Sequence, residues 1–212
     1  MLVRDIMSSR LITVPSNTPA GEAQSIMREN NIRRLPVVDS GKLVGMVTER
    51  RLERVKPRSS APLLWQMSYL ISHTTVRDIM RKDMVFVSPT DTVEYAVAKA
   101  QAEQVGSLLV MDKGKLVGIC TTNDFFYKIV NPTLGLGETG IRILVTSDNI
   151  GPETQKIVNC VNKAGIEIKV LWAIPVGSGE QKNIILHLGT EDTDRVVKEL
   201  EKLDCTVTVL AR

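Results

Sequence analysis

The side chains able to do chemistry in this 212-residue chain are few, and their spacing argues against catalysis. His73 stands at the end of an apolar helical pattern and His187 inside a strand pattern, and neither has a nucleophile at motif spacing. There is no HExxH, no P-loop and no GxGxxG after a strand. Cys120, Cys160 and Cys205 are odd in number and too scattered for a disulfide framework or a zinc site, so they read as small buried hydrophobes. What remains is a polar tip, Thr121 to Asp124, closing the apolar run of GKLVGICTTNDF, and two adjacent cations, Arg33 and Arg34, directly before the run LPVVD. A carboxylate only accepts hydrogen bonds and suits a pair of hydroxyls, whereas guanidinium forks suit phosphate oxygens. The plainer reading of Asp124 is the N-cap of the helix that follows it, FFYKIV. The cluster Arg50, Arg51, Arg54, Lys56 and Arg58 reads as a solvated face.

The elements that position these groups occur twice. Val3 to Val55 aligns without a gap on Val76 to Lys128 at an offset of 73 residues, with about 16 of the 53 positions identical. Both copies open on VRDIM and run through a β-type segment, Leu11 to Val14 or Met84 to Val87. A helix follows in each, started by Thr18 with Pro19 in copy one and by Asp91 with Glu94 in copy two. Its apolar stripe is Ala20, Ala23, Ile26 and Met27, or Val93, Ala96, Val97 and Ala100. Two short apolar strands joined by a Gly-Lys turn and a second helix complete each copy. Such a unit has one helix-covered face and must cover its other surface, which the duplication supplies.

Residues 57–75 join the copies, and Leu63, Leu64, Met67, Leu70 and Ile71 predict a helix there, with Trp65 and Tyr69 as packing or subunit contacts. The Pro- and Gly-rich stretch 131–140 reads as a linker. Beyond it, residues 141–212 predict the order βαββαβ, the split-βαβ ferredoxin-like plan. Its second strand, Ile166 to Ile174, is expected to alternate between a core face and a partly polar one.

With 43% hydrophobic and 24% charged residues the composition is that of a globular protein. A formal charge of +3 and 4% aromatic residues argue against a nucleic-acid partner. No apolar run approaches the roughly 18 residues of a membrane span, and MLVRDIMSSR lacks a signal-peptide layout, so the expectation is a cytoplasmic protein with no membrane partner.

Through VRDIM at Val3 and Val76, the motifs RRLPVVD and GSLLVMD, and the segments GKLVGMVTERRL and GKLVGICTTNDF, the repeat resembles the CBS domain, and its tandem arrangement resembles a Bateman module. The resemblance implies a regulatory, non-enzymatic protein that holds an adenine nucleotide (AMP, ADP or ATP) as regulatory ligand in the cleft between the copies, with no obligatory cofactor. Carried onto this chain, Thr121 would bond a phosphate and Asp124 both ribose hydroxyls. Arg33 and Arg34 would reach the phosphates across the cleft, and Val87 and Ser88 would flank the adenine. In copy one Thr48 aligns with Thr121 but Arg51 aligns with Asp124. One ribose site per chain is therefore expected, with the Thr48 and Arg51 cleft empty or holding a simple anion.

Residues 141–212 resemble an ACT domain, in which the turn Asp148, Asn149, Ile150, Gly151 would face an amino acid, although Glu153 departs from the usual apolar residue. The whole arrangement resembles the AcuB acetoin utilisation group. The fold expected is thus α+β / α/β: a pseudo-twofold CBS-domain pair (units 1–56 and 76–130, joined by 57–75), then a linker at 131–140 and a ferredoxin-like ACT-type domain at 141–212. A homodimer and a regulated enzyme or protein partner are expected with it. The rival functions are an amino-acid sensor using Asp148, Asn149 and Gly151, and an enzyme subunit of acetoin catabolism.

Overall fold

The structure, a computed structural model, describes residues 1–54, 74–147, 150–175, 182–203 and 205–210. The connecting helix expected at 57–75, with Trp65, Tyr69 and His73, lies outside the described residues apart from its last two positions. The chain divides into two compact units, Met1–Phe126 and Tyr127–Arg212.

In the first unit the chain order is α1 (Val3–Ile6), α2 (Ala20–Glu29), β1 (Arg34–Asp39), β2 (Lys42–Thr48) and α3 (Glu49–Glu53). The second copy gives α4 (Val76–Ile79), β3 (Phe86–Val87), α5 (Val93–Ala102), β4 (Ser107–Asp112), β5 (Lys115–Thr121) and α6 (Thr122–Phe125). β1 and β2 form an antiparallel pair; β4 pairs antiparallel with β5 and parallel with β3. The two hairpins close on Ser40-Gly41 and Lys113-Gly114, all four residues having positive φ, which is the two-residue turn whose twist matches the strands.

Each opening VRDIM segment is exchanged onto the other copy. Val3 N–H donates to Asp91 C=O at 2.9 Å and Arg4 N–H to Pro89 C=O at 3.0 Å, while Val76 donates to Thr18 and Arg77 to Ser16, both at 2.8 Å. Ser8 bridges Ile119 through both main-chain groups, as Arg81 bridges Met46. Val76 is accordingly fully buried in the core of copy one with Val14, Ala23, Leu35, Val37 and Val47. Full burial of such a side chain contributes about 1.5–3 kcal/mol, so the exchange ties the copies together. It also explains the second glycine of GKLVG: a Cβ at Gly118 would lie 2.5 Å from Met7 Sδ, and one at Gly45 2.6 Å from Met80 Sδ.

Two local expectations are corrected. The strand expected at Leu11 to Val14 is a single parallel bridge, Val14 to Val37, whereas its counterpart forms β3. In copy two Leu109 N–H donates to Val85 C=O at 3.0 Å; the aligned residue in copy one is Pro36, which has no N–H to give. The helix start in copy two falls on Thr92, whose hydroxyl accepts from Tyr95 N–H at 3.2 Å, while Asp91 turns back to Ser88 N–H at 2.8 Å.

The second unit contains β6 (Ile141–Ser147), α7 (Ile150–Lys163), β7 (Ile168–Pro175), β8 (Lys182–Leu188), α8 (Thr193–Glu201) and β9 (Thr206–Leu210). Its sheet has the order β7-β8-β6-β9 with every pair antiparallel. Ile143, Val145, Ile184, Leu186 and Leu188 pack against Ile157, Val161, Val196 and Leu200 of the two helices. The even alternation expected along β7 is broken, because the register shifts between Ile168 and Val170 and leaves Lys169 as a bulge. Ile168 and Leu171 therefore both meet the core. On the opposite face His187 is fully buried, its Nε2 3.1 Å from Thr139 C=O.

Candidate functional site

The polar tip of copy two is built by a helix start. Thr121, the last residue of β5, is the N-cap of α6, and Asp124 stands at its third position. The two hold each other: Asp124 Oδ2 accepts from Thr121 N–H at 2.8 Å and from Thr121 Oγ1 at 2.7 Å, and Asp124 N–H reaches back to Thr121 Oγ1 at 3.4 Å. Asp124 is thus the partner of the cap, and the plainer reading of it as the N-cap is corrected to Thr121. Asp124 is 9% exposed as a residue, and its other carboxylate oxygen, Oδ1, accepts from Ser8 Oγ at 3.1 Å. Ser8 arrives on the exchanged amino-terminal segment, 116 residues away in the chain.

Arg34, at the start of β1 in the other copy, reaches this tip. Its Nη2 lies against Gly106, where a Cβ would approach it to 2.9 Å, and the same Cβ would be 3.6 Å from Thr122 Oγ1. Burial pushes the Arg34 guanidinium below its ordinary value and neighbouring Arg33 adds to that; the Asp124 carboxylate opposes both. An arginine still keeps its charge at neutral pH, so a half-buried cation on one copy lies within electrostatic reach of a buried carboxylate on the other. Arg33 points elsewhere, with a side chain 79% exposed and its Nε 3.6 Å from Glu49 Oε2. An exposed pair of this kind contributes at most about 1 kcal/mol.

Val87 ends β3 opposite Val110, and Ser88 follows it directly. Ser107, which pairs with Thr121, is three residues back along β4 from Val110, about 10 Å along the strand. The structure therefore gathers Thr121, Asp124 and Arg34, and leaves Arg33 on the surface and Val87 with Ser88 further along the sheet. Asp148 and Asn149 lie outside the described residues, and Gly151 is in the first turn of α7.

The matching place in copy one has a different chemistry on the same frame. Arg51 Nη1 donates to Ile79 C=O at 3.0 Å, and Arg81, the counterpart of Ser8, pairs with Asp83. Asp83 is held below the usual carboxylate range by the hydrogen bond from Arg81 and, more weakly, by Arg51. Ser8 and Gly106 were not legible as site residues: Ser8 lies just past VRDIM, Gly106 opens GSLLVMD without a side chain to do chemistry, and only the exchange of segments brings Ser8 to Asp124. Among the described residues no group of three or more His, Cys, Asp or Glu could hold a metal ion.

The family model of the CBS domain matches residues 3–57 and 76–131, one copy each. The chain belongs to the CBS domain family. The first unit is a CBS domain pair of mixed α and β content. An inosine-5′-monophosphate dehydrogenase of Thermoplasma acidophilum is 26% identical over 210 residues, 99% of this chain but 36% of the enzyme, so the chain spans about a third of that relative's length. The solved CBS domain pair of protein MJ0100, in complex with 5′-methylthioadenosine and S-adenosyl-L-methionine, is 27% identical with a TM-score of 0.51 and covers 62% of this chain and 97% of its own. A putative acetoin utilization protein (AcuB) from Vibrio cholerae is 28% identical with a TM-score of 0.52, over 62% of this chain and 91% of its own. No helix among the described residues is long and apolar enough to cross a membrane.

Proposed function

We propose that this CBS-domain protein is a regulatory ligand sensor that binds an adenine nucleotide, AMP, ADP or ATP, at the tip of copy two. The observation that carries the reading is the meeting of Arg34 from one copy with Thr121 and Asp124 from the other. Asp124, held by both donors of Thr121, reads the ribose, Arg34 reads phosphate, and Val87 and Ser88 border the base. The bound adenosine compounds of the MJ0100 pair support an adenosine ligand. Arg34 favours a phosphorylated one, because a half-buried cation gains most from an anionic partner. The antiparallel order β7-β8-β6-β9 supports reading the second unit as a ferredoxin-like, ACT-type module for dimerisation or signal transmission. The likeness to the putative acetoin utilization protein supports a controlled partner in that metabolism. In this reading the protein works in the cytoplasm as a homodimer. Ligand control then requires that the nucleotide bind one of two conformations more tightly than the other.

Calorimetric titration of AMP, ATP, S-adenosylmethionine and 5′-methylthioadenosine tests the reading. One phosphorylated ligand is expected to bind one site per chain, tighter than about 1 mM, which corresponds to about −4.1 kcal/mol. Absence of binding by every compound in that range would overturn it.

A further inference from the structure

We infer that Ser8 is a specificity-determining residue of the copy-two cleft, its hydroxyl and the Asp124 carboxylate together reading the two hydroxyls of a ribose. The inference rests on the nucleotide reading of this cleft and deepens it.

Asp124 does not present a bare carboxylate. Both Thr121 donors fall on Oδ2, at 2.8 and 2.7 Å, and Ser8 Oγ donates to Oδ1 at 3.1 Å. A carboxylate oxygen offers about two lone-pair directions, so Thr121 occupies the Oδ2 edge and a ligand meets the Oδ1 edge, where Ser8 stands. A serine hydroxyl has one proton and two lone pairs. With its proton given to Asp124, the Ser8 oxygen serves as an acceptor next to Oδ1. A vicinal diol brings two donors and finds two adjacent acceptors, Oδ1 for one hydroxyl and Ser8 Oγ for the other.

The duplicated frame supplies an independent observation. Ser8 and Asp124 align with Arg81 and Arg51, and the main-chain bridge that carries Ser8 to Ile119 is repeated by Arg81 with Met46. Both positions have changed together: two acceptor-capable groups in one cleft, two guanidinium groups in the other. If Asp124 alone defined the ribose site, nothing would link the residue at position 8 or 81 to the residue on the helix. A cleft that reads a diol needs acceptors at both places, and guanidinium groups only donate.

The test is calorimetric titration of AMP, 2′-deoxy-AMP and 3′-deoxy-AMP into the full chain as wild type, Ser8→Ala and Ser8→Thr. Because Ser8 holds Ile119 through its main chain, the alanine variant is expected to keep the unliganded melting temperature within a few degrees. Wild type should prefer AMP over each deoxy form by about 5-fold to 10-fold, the range of one hydrogen bond. In Ser8→Ala, AMP should weaken by a similar factor, and one of the two deoxy forms should then bind as well as AMP within about 2-fold, while the other stays discriminated. Ser8→Thr, which keeps the hydroxyl, should restore both affinity and selectivity. An equal loss for all three ligands in Ser8→Ala would mean that Ser8 only steadies Asp124, and unchanged AMP affinity would mean that it does neither; each overturns the inference and leaves the nucleotide reading standing. Wild type that binds AMP without discriminating the deoxy forms removes the ribose assignment and this inference with it, and leaves nucleotide binding standing. Wild type that binds no AMP removes the nucleotide reading and this inference with it.

Discussion

The two clefts of the first unit share one backbone and differ in what they can hold. Ser8 meets Ile119 through hydrogen bonds of 2.9 and 3.1 Å, and Arg81 meets Met46 through 2.8 and 2.9 Å. On those matching frames copy two sets a hydroxyl, a carboxylate and an arginine borrowed from across the pair, whereas copy one sets Arg51 and Arg81 around Asp83. Ser107, the counterpart of Arg34, carries no charge and turns to Met46 Sδ at 3.8 Å. Main-chain bonds and buried apolar contacts fix the frame and are indifferent to the side chains that line it. Duplication could therefore keep the architecture while one site became acceptor-rich and the other cationic.

The comparison breaks most visibly at its two central residues. Asp124→Ala should weaken the preferred nucleotide by at least about 100-fold, since it removes an ionised acceptor and leaves Ser8 and Thr121 without their shared partner. Arg51→Ala should leave the same affinity within about 2-fold in the same titration; a large loss there would mean that the clefts are not chemically distinct. Arg34→Ala is the next test, with an expected loss of about 10-fold or more for AMP and little change for neutral adenosine. Equal losses for both ligands would show that Arg34 shapes the cleft without meeting phosphate.

A smaller difference concerns the close approaches inside the hairpins. A Cβ at Gly45 would lie 2.8 Å from the Arg81 carbonyl oxygen as well as 2.6 Å from Met80 Sδ, whereas at Gly118 all three nearest atoms belong to the Met7 side chain. A methionine can move aside and a main-chain carbonyl in a bridge cannot. Gly45→Ala should therefore cost about 2–3 kcal/mol and Gly118→Ala about 1 kcal/mol, read from urea midpoints; the reverse order would refute the account.

The smallest effect is on acid stability. Thr75 donates to Asp78 through its hydroxyl and its main chain, at 2.7 and 2.8 Å, and these bonds hold the Asp78 carboxyl below its ordinary value. Copy one has Leu2 at that place and offers Asp5 only the main-chain bond, at 2.8 Å. A depressed carboxyl pKa contributes stability that is present above the unfolded-state value, near 3.9, and is lost as pH falls through the lower folded value. Thermal melts from neutral to acidic pH should show Asp78→Asn losing less stability over that fall than wild type. An identical acid limb would remove the cap from the explanation.

Much of this was legible along the chain because its signals are local. The offset of 73 residues, the hairpin glycines and the apolar stripes give the duplicated unit, and the three-residue spacing of Thr121 and Asp124 gives a helix start that presents a carboxylate. Signals that depend on a distant partner were not legible. The missing strand at Leu11 to Val14 depends on Pro36, 22 residues beyond Val14, and the altered face of β7 depends on a bulge against β8.

The sequence by itself determined that there are two copies, that they are unequal, and which residues make them so, because repeats and substitutions are properties of order along the chain. Only the tertiary structure decided which copy each VRDIM segment serves, and hence that Ser8 converges on Asp124. The physical reason is that the exchange is held by main-chain hydrogen bonds and by buried apolar side chains such as Val3 and Val76. Those groups are identical in the two copies, so nothing in their order says which partner they choose.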